Sequence, residues 1–410
     1  MSDAAPKLRG EIDAAPASRD GDAFYILYDR SGVSPSRLLL SPLGLLIAGR
    51  LDGAASVLEI SDNLGRETPG GASCREIESV VRALDDALFL EGARFQDFSA
   101  QAERDFLSAP SRPPGLAGSA YSADPIRLAE TLNRVMDEAP APEEAPGRPR
   151  RPPRGMIIPH LDYPRGAPGY GQAYRLLAGA PKPPVVVVLG TAHAGLRERF
   201  ALCDKDFDTP LGRVRVDRDL LARLRLAASP HGDPDREALA HRSEHSVELQ
   251  AVWLRHIYGE DLAIVPLLVS PVGEFLNGGR PPAEAETEPM FRAVAECLGG
   301  AAESGEALLL ASADLAHVGP RFGDRREAAG QFLTEVEEAD RGYLRAAAAG
   351  AVPGLANLAA HGDRYRVCGS ACIFVLGLAL PGARATLLGY HQAVTPEMRE
   401  AVAYAAVCFE

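Results

Sequence analysis

The sequence lacks any apolar run approaching the ~18 residues needed to span a bilayer. Its first residues also lack the basic and apolar regions of a signal peptide. Cysteine is sparse, with six residues scattered along 410, which excludes the dense disulfide framework of a small secreted module. These absences predict a cytoplasmic protein whose thiols are free in a reducing compartment.

A net positive charge is lacking as well, because 56 acidic residues outnumber 43 basic ones. The formal net charge is -13, whereas nucleic-acid binding depends on clustered Lys and Arg that neutralise phosphates. We therefore expect no nucleic-acid partner, and the lack of a membrane-spanning run predicts no membrane partner. The length of 410 residues is sufficient for two or three domains with a substantial core.

Residues 8–105 are predicted to form a small helical unit, with helices beginning near Ser41, Ser56 and Ser73. Phe95 is then expected to begin a wing or an edge strand. Helix, helix, longer helix and wing is the order of a winged-helix module, and it also resembles peptide-carrier domains of the PqqD type. Ten arginines face seventeen acidic residues in this stretch, which favours protein or peptide docking over DNA reading. A purely structural appendage is the alternative.

A second unit is predicted over residues 112–410. Asp124 and Pro125 are typical of the N-cap and first position of a helix. Residues 138–155 are rich in proline and charge, which predicts an exposed crossover. From residue 156 onward, apolar strands alternate with helices, which predicts an α/β fold with a layered, largely parallel central sheet flanked by helices. The expected strands are residues 156–159, 184–189, 262–269 and 307–311, and the expected helices are residues 169–178, 217–226, 244–257, 288–299 and 325–346.

Two of these strands run directly into a histidine, His160 and His193. The carboxyl ends of strands in an open α/β sheet are where ligands and metals collect. Together with the thiol of Cys368, two neutral imidazoles suit Zn, Fe or Cu far better than Mg or Ca. Taken singly, each residue is better explained as a loop histidine or a buried thiol, and only the set as a whole favours a metal site.

Three further polar residues are candidates for proton transfer. Asp314 and His317 are expected on a strand-to-loop turn, where the carboxylate orients an imidazole and the other ring nitrogen stays free. A loop pair satisfied by backbone is the alternative. His245 begins a predicted helix that Ser243 caps, with Glu244 in the first turn. The positive end of the helix keeps the His245 imidazole neutral, which suits a hydrogen bond to substrate or to a metal-bound oxygen.

Six short motifs occur in a fixed order along the second unit. They are Ala117-Gly118-Ser119-Ala120-Tyr121, Pro159-His160, Leu189-Gly190-Thr191-Ala192-His193, Glu244-His245-Ser246-Val247-Glu248, Ser312-Ala313-Asp314-Leu315-Ala316-His317-Val318-Gly319 and Val367-Cys368-Gly369. Through these motifs, residues 112–410 resemble the Memo family, whose bacterial and archaeal members are called AmmeMemoRadiSam system protein B. The motifs do not extend into the N-terminal unit.

The resemblance implies a fold like that of class III extradiol dioxygenases. It implies that His160, His193 and Cys368 occupy the metal positions, with Fe(II) or Cu as the metal and Zn as a further option. It places Asp314, His317 and His245 in the same cleft, as catalytic candidates. Radical SAM and AMMECR-type proteins would be partners, and the substrate a small molecule or a peptide.

Two departures from the expected pattern affect the chemistry. Extradiol dioxygenases of this class use two histidines and a carboxylate on Fe(II), whereas this chain has Cys368 in the carboxylate position. A soft thiolate shifts the metal preference towards Cu(I) or Zn. Arg165 follows the first histidine, where it would favour an anionic substrate or pair with Asp162. Two functions follow: a metal-dependent redox enzyme, or a non-catalytic binding or scaffold component that uses the same cleft. Hydrolysis at a zinc-bound water is a third option, less favoured because catalytic zinc sites that contain cysteine are the minority.

Overall fold

Buried apolar residues before and after position 110 form separate clusters. In the computed structural model, the chain accordingly divides into units of residues 1–109 and 110–410. The structure describes residues 5–19, 22–29, 33–67, 70–144, 151–276, 280–348 and 364–410. Within them, no helix is both long enough and apolar enough to cross a bilayer.

The N-terminal unit begins with an antiparallel sheet of three strands in the order β1-β2-β3. The strands are β1 (Ile12–Arg19), β2 (Asp22–Asp29) and β3 (Arg37–Leu40). The helices that follow are α1 (Pro42–Ala48), α2 (Val57–Glu67), α3 (Cys74–Asp86) and α4 (Ala93–Ser108). Ser73 and Glu76 form a capping box at the start of α3, and Ile77 and Leu84 bury its apolar face.

This unit differs from the sequence prediction at both ends. The sheet lies before the helices, in a stretch where no strand was predicted, although the run Phe24-Tyr25-Ile26-Leu27-Tyr28 of β2 is typical of a strand. Phe95 was predicted to begin a wing or edge strand, and that prediction is wrong because Phe95 lies in α4. Its neighbours, rich in Ala, Gln and Glu, are good helix formers, which favours the helix over a strand.

The second unit is an α/β domain whose strands are β4 (Ser111–Arg112), β5 (Gly155–Ile158), β6 (Val185–Thr191), β7 (Phe200–Leu202), β8 (Asp206–Thr209), β9 (Gly212–Val216), β10 (Ala263–Val269), β11 (Ala307–Ser312), β12 (Asp314–Val318), β13 (Ala385–Thr395) and β14 (Glu400–Phe409). Its helices are α5 (Pro125–Asp137), α6 (Tyr163–Gly179), α7 (Arg218–Ala228), α8 (His245–Tyr258), α9 (Gly273–Leu276), α10 (Pro282–Thr287), α11 (Pro289–Glu303), α12 (Gln331–Ala348) and α13 (Ser370–Ala379). The predicted fold class is confirmed: a large central sheet lies between helices.

Within the described residues, the strands join in the order β12-β14-β5-β11-β6-β10-β9-β8-β4, with β13 on β14 and β7 on β10. The centre, β5-β11-β6-β10-β9, is parallel, while β14 pairs antiparallel with β5, β12 and β13. Successive residues of β6 point into opposite cores: Val187 packs against the helix layer of α11 and α13, and Val188 against α6 and α8. Helices therefore cover both faces of the parallel centre.

Two further segments differ from their predictions. Asp314 and His317 do not lie on a strand-to-loop turn, because β12 itself carries both and pairs with β14. The crossover predicted over residues 138–155 contacts the sheet, since the amides of Glu143 and Glu144 donate to the carbonyls of Leu388 and Leu387. Residues 145–150 of that crossover lie outside the described residues.

Candidate metal centre

Three adjacent parallel strands deliver polar residues to one edge of the sheet. Strand β5 leads into His160, β6 into His193, and β11, which lies between them, into Asp314. The imidazole rings of His160 and His193 lie 4.9 Å apart, centroid to centroid. The expectation that both histidines meet at the carboxyl edge of the sheet agrees with this placement.

Cys368 joins them from the loop that precedes α13. Its Sγ lies 3.2 Å from Nε2 of His160. The adjacent Gly369 donates its amide to the carbonyl of Asp314 at 3.0 Å. A Cβ at position 369 would lie 2.3 Å from Cβ of Ala313, so only glycine allows the loop to approach the sheet this closely. This contact brings a thiol from the C-terminal part of the chain to the histidines.

Both histidines have one ring nitrogen engaged and the other directed towards the site. Nδ1 of His160 lies 2.9 Å from the carbonyl oxygen of Ser312, and Nδ1 of His193 lies 3.0 Å from Oε1 of Glu244. Donation from Nδ1 leaves the Nε2 lone pair available, which is the usual arrangement of metal-binding histidines. The donor atoms of His160, His193 and Cys368 lie within 4.8 Å of one another. Donors around one ion at ~2.0–2.3 Å sit roughly 3.5 Å apart, so this set fits a metal.

Glu244 has two roles, one at the start of α8 and one in orienting His193. The sequence predicted only that Glu244 lies favourably at the start of this helix. It is the N-cap of α8, where its carboxylate accepts from the amide of Ser246, so the prediction that Ser243 caps this helix is wrong. The same carboxylate accepts from the amide and ring of His193. Burial alone would raise the pKa of Glu244, but His193 and His245 hold it well below its ordinary value. An ionised Glu244 thus fixes the tautomer of His193.

The thiol of Cys368 and the imidazole of His160 are both neutral in the absence of a cation. Burial raises the pKa of Cys368 well above its ordinary value, and burial lowers the pKa of His160 well below its own. A neutral imidazole is ready to bind a metal, whereas the thiol must lose its proton. A metal supplies the positive charge that this deprotonation requires.

The three candidate catalytic residues surround this set. Burial raises the pKa of Asp314 to about 7, and its Oδ2 lies 3.6 Å from Nε2 of His160. Burial lowers the pKa of His317 and of His245 to about 4 each. Nδ1 of His317 lies 3.0 Å from the carbonyl of Leu315, so backbone rather than Asp314 orients this ring. The ring of His245 stacks on that of His193 at 4.4 Å.

A cleft of about 390 Å³ opens above these residues. Its apolar lining includes Leu116, Leu161, Leu249, Phe322 and Val402, and its polar lining includes Asp162, Arg165, Arg321 and Glu400. Arg165 was expected to pair either with an anionic substrate or with Asp162. In the structure its Nε donates to Oδ2 of Asp162 at 2.6 Å. Nη1 of Arg321 donates to Oε1 of Glu400 at 3.3 Å, and both residues line the cleft. The mixed lining is typical of a pocket for a small organic ligand.

Beneath the site, a buried hydrogen-bond network ties the strand ends together. The amide of Gln250 donates to the carbonyl of Pro159 at 2.7 Å and to Oγ of Ser312 at 2.8 Å. Ser312 donates in turn to the carbonyl of Ser246 at 2.6 Å. Tyr174 donates to Oε1 of Gln250 at 2.6 Å. These residues were not foreseen, because a Gln in an apolar helix face carries no signal without its partners in space.

Comparison with known proteins identifies the group to which this site belongs. Residues 112–408 match the family model described as Memo-like protein. The chain belongs to the Memo-like family. Among curated proteins, this Memo-like chain is similar to a MEMO1 family protein of Aquifex aeolicus, 25% identical over 308 residues and covering 74% of each chain.

Two archaeal relatives and one solved structure are similar as well. A MEMO1 family protein of Methanopyrus kandleri is 28% identical, covering 73% of this chain and 98% of its own length. One of Sulfolobus acidocaldarius is 30% identical, covering 51% of this chain and 70% of its own. A solved uncharacterized protein of Escherichia coli K12, JW3007, is 16% identical with a TM-score of 0.38, covering 62% of this chain and 99% of that one.

Proposed function

We propose that this Memo-like chain is a metal-dependent redox enzyme that binds iron or copper through His160, His193 and Cys368. The observation that carries the proposal is the convergence of these three donors beside an open cleft that His160 and His193 line, with Cys368 against His160 and with the other ring nitrogen of each histidine already engaged. When bound, such a metal would supply one-electron chemistry and open positions for dioxygen or substrate. A thiolate donor distinguishes the site from the two-histidine, one-carboxylate set of ring-cleaving enzymes, so we do not propose ring cleavage.

His317 is the proposed proton carrier of the cleft. Its Nδ1 is engaged by a backbone carbonyl, and burial lowers its pKa to about 4. The ring is therefore neutral near pH 7 and presents Nε2 as a proton acceptor. Asp314, whose burial raises its pKa to about 7, gains or loses its own proton near neutral pH. The neutral His245, which also lines the cleft and stacks on His193, is proposed to donate or accept a hydrogen bond there.

The partners we propose are the radical SAM and AMMECR-type proteins named in the AmmeMemoRadiSam system. The substrate would then be a small molecule or a peptide segment that enters the 390 Å³ cleft. The N-terminal unit, with its excess of acidic residues, is the proposed docking element for those proteins.

Oxygen uptake tests the redox proposal. The full chain is loaded anaerobically with Fe(II), Cu(I) or Zn(II) and mixed with dioxygen and ascorbate in an oxygen electrode. The iron or copper form is expected to consume dioxygen faster than the same metal free in buffer, and the zinc form is not. His317→Gln is expected to slow uptake at least tenfold while retaining the metal. His256→Gln, which alters a half-buried histidine outside the cleft, serves as the control.

Uptake no faster than that of free metal, with the metal bound, would contradict the redox proposal. The binding alternative would then be measured directly, by co-purification with the radical SAM and AMMECR-type proteins.

A further inference from the structure

A buried ionic cluster behind the cleft has no role in the proposed metal chemistry. Nη1 of Arg112 lies 2.5 Å from Oε2 of Glu248, and both side chains are almost completely buried. Tyr121 donates its hydroxyl proton to Oε1 of the same carboxylate. The amides of Gly115 and Leu116 donate to Glu248 at 3.0 and 2.8 Å. Tyr121 and Glu248 belong to two of the sequence motifs noted above, so motif residues converge here.

Tyr121 is also the end member of a group of contacting aromatic rings. This aromatic cluster consists of Tyr121, Tyr163, Tyr170, Tyr174 and Trp253. Ring centroids are 5.7 Å apart for Tyr121 and Tyr163, 5.7 Å for Tyr163 and Trp253, and 4.7 Å for Tyr174 and Trp253. All five rings are buried. Tyrosine and tryptophan are the ring side chains that most readily lose a single electron, so the contacts form a continuous path for one.

The aromatic cluster lies directly behind the wall of the cleft. The hydroxyl of Tyr163 donates to the carbonyl of Leu249 at 2.9 Å, and that of Tyr170 to the carbonyl of Leu161 at 2.9 Å. Leu249 and Leu161 both line the cleft, and Leu161 is the residue next to His160. An oxidising event in the cleft is therefore separated from these rings by a single layer of backbone.

The members of the aromatic cluster differ in what accepts their proton. Tyr163 and Tyr170 donate to backbone carbonyls and Tyr174 to the amide of Gln250, and none of these acceptors is a base. Nε1 of Trp253 has no hydrogen-bond partner among the described residues. Within this cluster, which lies wholly in the described ranges, Tyr121 alone donates to a carboxylate. An electron lost anywhere in the cluster is thus replaced most favourably from Tyr121, where the proton can follow.

We infer that Tyr121 and Glu248 form a proton-coupled one-electron redox site, reached from the cleft through Tyr170 and Tyr163. In the step, Tyr121 loses one electron through the rings to a dioxygen-derived one-electron oxidant in the cleft. Its O–H bond breaks and the proton passes to Oε1 of Glu248, giving a neutral tyrosyl radical and a neutral carboxylic acid. The oxidant gains the electron, so charge and atoms balance. The inference rests on the proposed redox function for the source of that oxidant.

The surroundings of Tyr121 suit this role. Burial, with the neighbouring Glu248 carboxylate, raises the pKa of Tyr121 far above its ordinary value. The phenol therefore keeps its proton until the electron leaves. Arg112 and the amide of Gly115 remain on Oε2 of Glu248, so the carboxyl keeps both of these partners after it takes the proton on Oε1. The site would protect the metal centre from its own oxidant when substrate is absent.

The test uses the full chain without metal. A ruthenium(III) polypyridyl oxidant is generated by a laser flash with a cobalt(III) acceptor, and the sample is freeze-quenched for electron paramagnetic resonance. We expect a neutral tyrosyl radical that decreases at least fivefold in Tyr121→Phe. Tyr258→Phe, which alters a half-buried tyrosine whose hydroxyl donates to the carbonyl of Leu177, is expected to leave it unchanged.

A radical that is absent from the wild type, or equally strong in Tyr121→Phe, would overturn the inference. If Tyr121→Phe does not fold, double-resonance spectra of the wild-type radical in H2O and D2O decide instead. A strongly coupled exchangeable proton supports a radical facing a protonated Glu248, and its absence overturns it. Because the experiment uses no metal, a missing tyrosyl radical would not argue against the proposed metal site. Likewise, a failure to bind metal would not affect the interpretation of the radical experiment.

Discussion

At the scale of single residues, the candidate centre depends on groups that orient its ligands. Glu244 accepts from both the amide and the ring of His193, so one carboxylate fixes the position of a donor. Gly369 permits the approach that places Cys368 beside His160. In the proposed set of His160, His193 and Cys368 neither residue is a ligand, yet each determines where a donor atom lies.

Replacing Glu244 tests this orienting role. Glu244→Gln keeps an oxygen for the cap of α8 but removes the charge that fixes the tautomer of His193. We expect the affinity for metal to fall about 10- to 100-fold with little change in the melting temperature. Competition with a chromophoric chelator measures the affinity. Glu237→Gln alters another glutamate that accepts two backbone amides, and an equal loss in that control would show that the effect is not specific.

Sequence reasoning at this scale found the side chains with strong local signals. His160 and His193 directly follow apolar strands, and such an arrangement is visible in one dimension. The second role of Glu244 and the whole role of Gln250 were not predictable, because their partners are 51 and 62 residues away. Hydrogen bonds over such separations exist only once the fold has formed.

At the scale of elements, the parallel centre was predictable and the antiparallel margin was not. Strands β6, β10 and β11 are continuous apolar runs, which is typical of strands buried on both faces. Strand β14 is equally buried, but its many alanines favour a helix as much as a strand. Strand β12 is short and polar, and pairing with β14 decides its conformation.

Strand β12 is supported by a buried carboxyl whose titration should be visible in stability. Asp340 of α12 accepts a hydrogen bond from the hydroxyl of Tyr390 at 2.9 Å. Burial raises the pKa of Asp340 to about 7, although hydrogen bonds from Tyr390 and from the amide of Ala316 act to lower it. The folded protein therefore holds the Asp340 proton more tightly than the unfolded chain, in which the ordinary pKa is 3.8. The resulting stabilisation is complete below pH 3.8, and it is lost as the pH rises through 7.

We therefore expect Asp340→Asn to flatten the fall in stability between pH 5 and pH 8. The shift corresponds to a few kcal/mol, at roughly 1.4 kcal/mol per pKa unit. Urea unfolding at both pH values measures it. Asp314, which burial also shifts to about 7, contributes in the same direction and leaves part of the slope in the variant. Asp137→Asn, at an exposed position, is the control, and an unchanged slope in Asp340→Asn would contradict this account.

At the scale of the whole molecule, the two units have separate cores. The cluster around Ile60, Ile77 and Leu84 contains no residue beyond position 90, and the two large clusters of the second unit contain none before position 116. All six candidate site residues lie in the second unit. Family membership concerns the same unit, since the match covers residues 112–408.

Separate cores predict that residues 110–410 fold and bind metal without the N-terminal unit. The isolated fragment is expected to unfold cooperatively and to bind one metal ion with the affinity of the full chain. Circular dichroism and chelator competition measure the two properties. A fragment that is unfolded, or that binds metal more than tenfold more weakly, would contradict the independence of the second unit.

The central claim is that His160, His193 and Cys368 hold one redox metal. The most direct measurement is metal content by mass spectrometry after anaerobic purification, for the wild type, His193→Ala and Cys368→Ala, with Cys372→Ala as the control. Cys372 is buried and its Sγ lies 3.5 Å from Thr191, outside the donor set. The account predicts about one iron or copper per chain in the wild type and control, and its loss in both ligand variants. No bound metal, or metal that persists in both ligand variants, would contradict it.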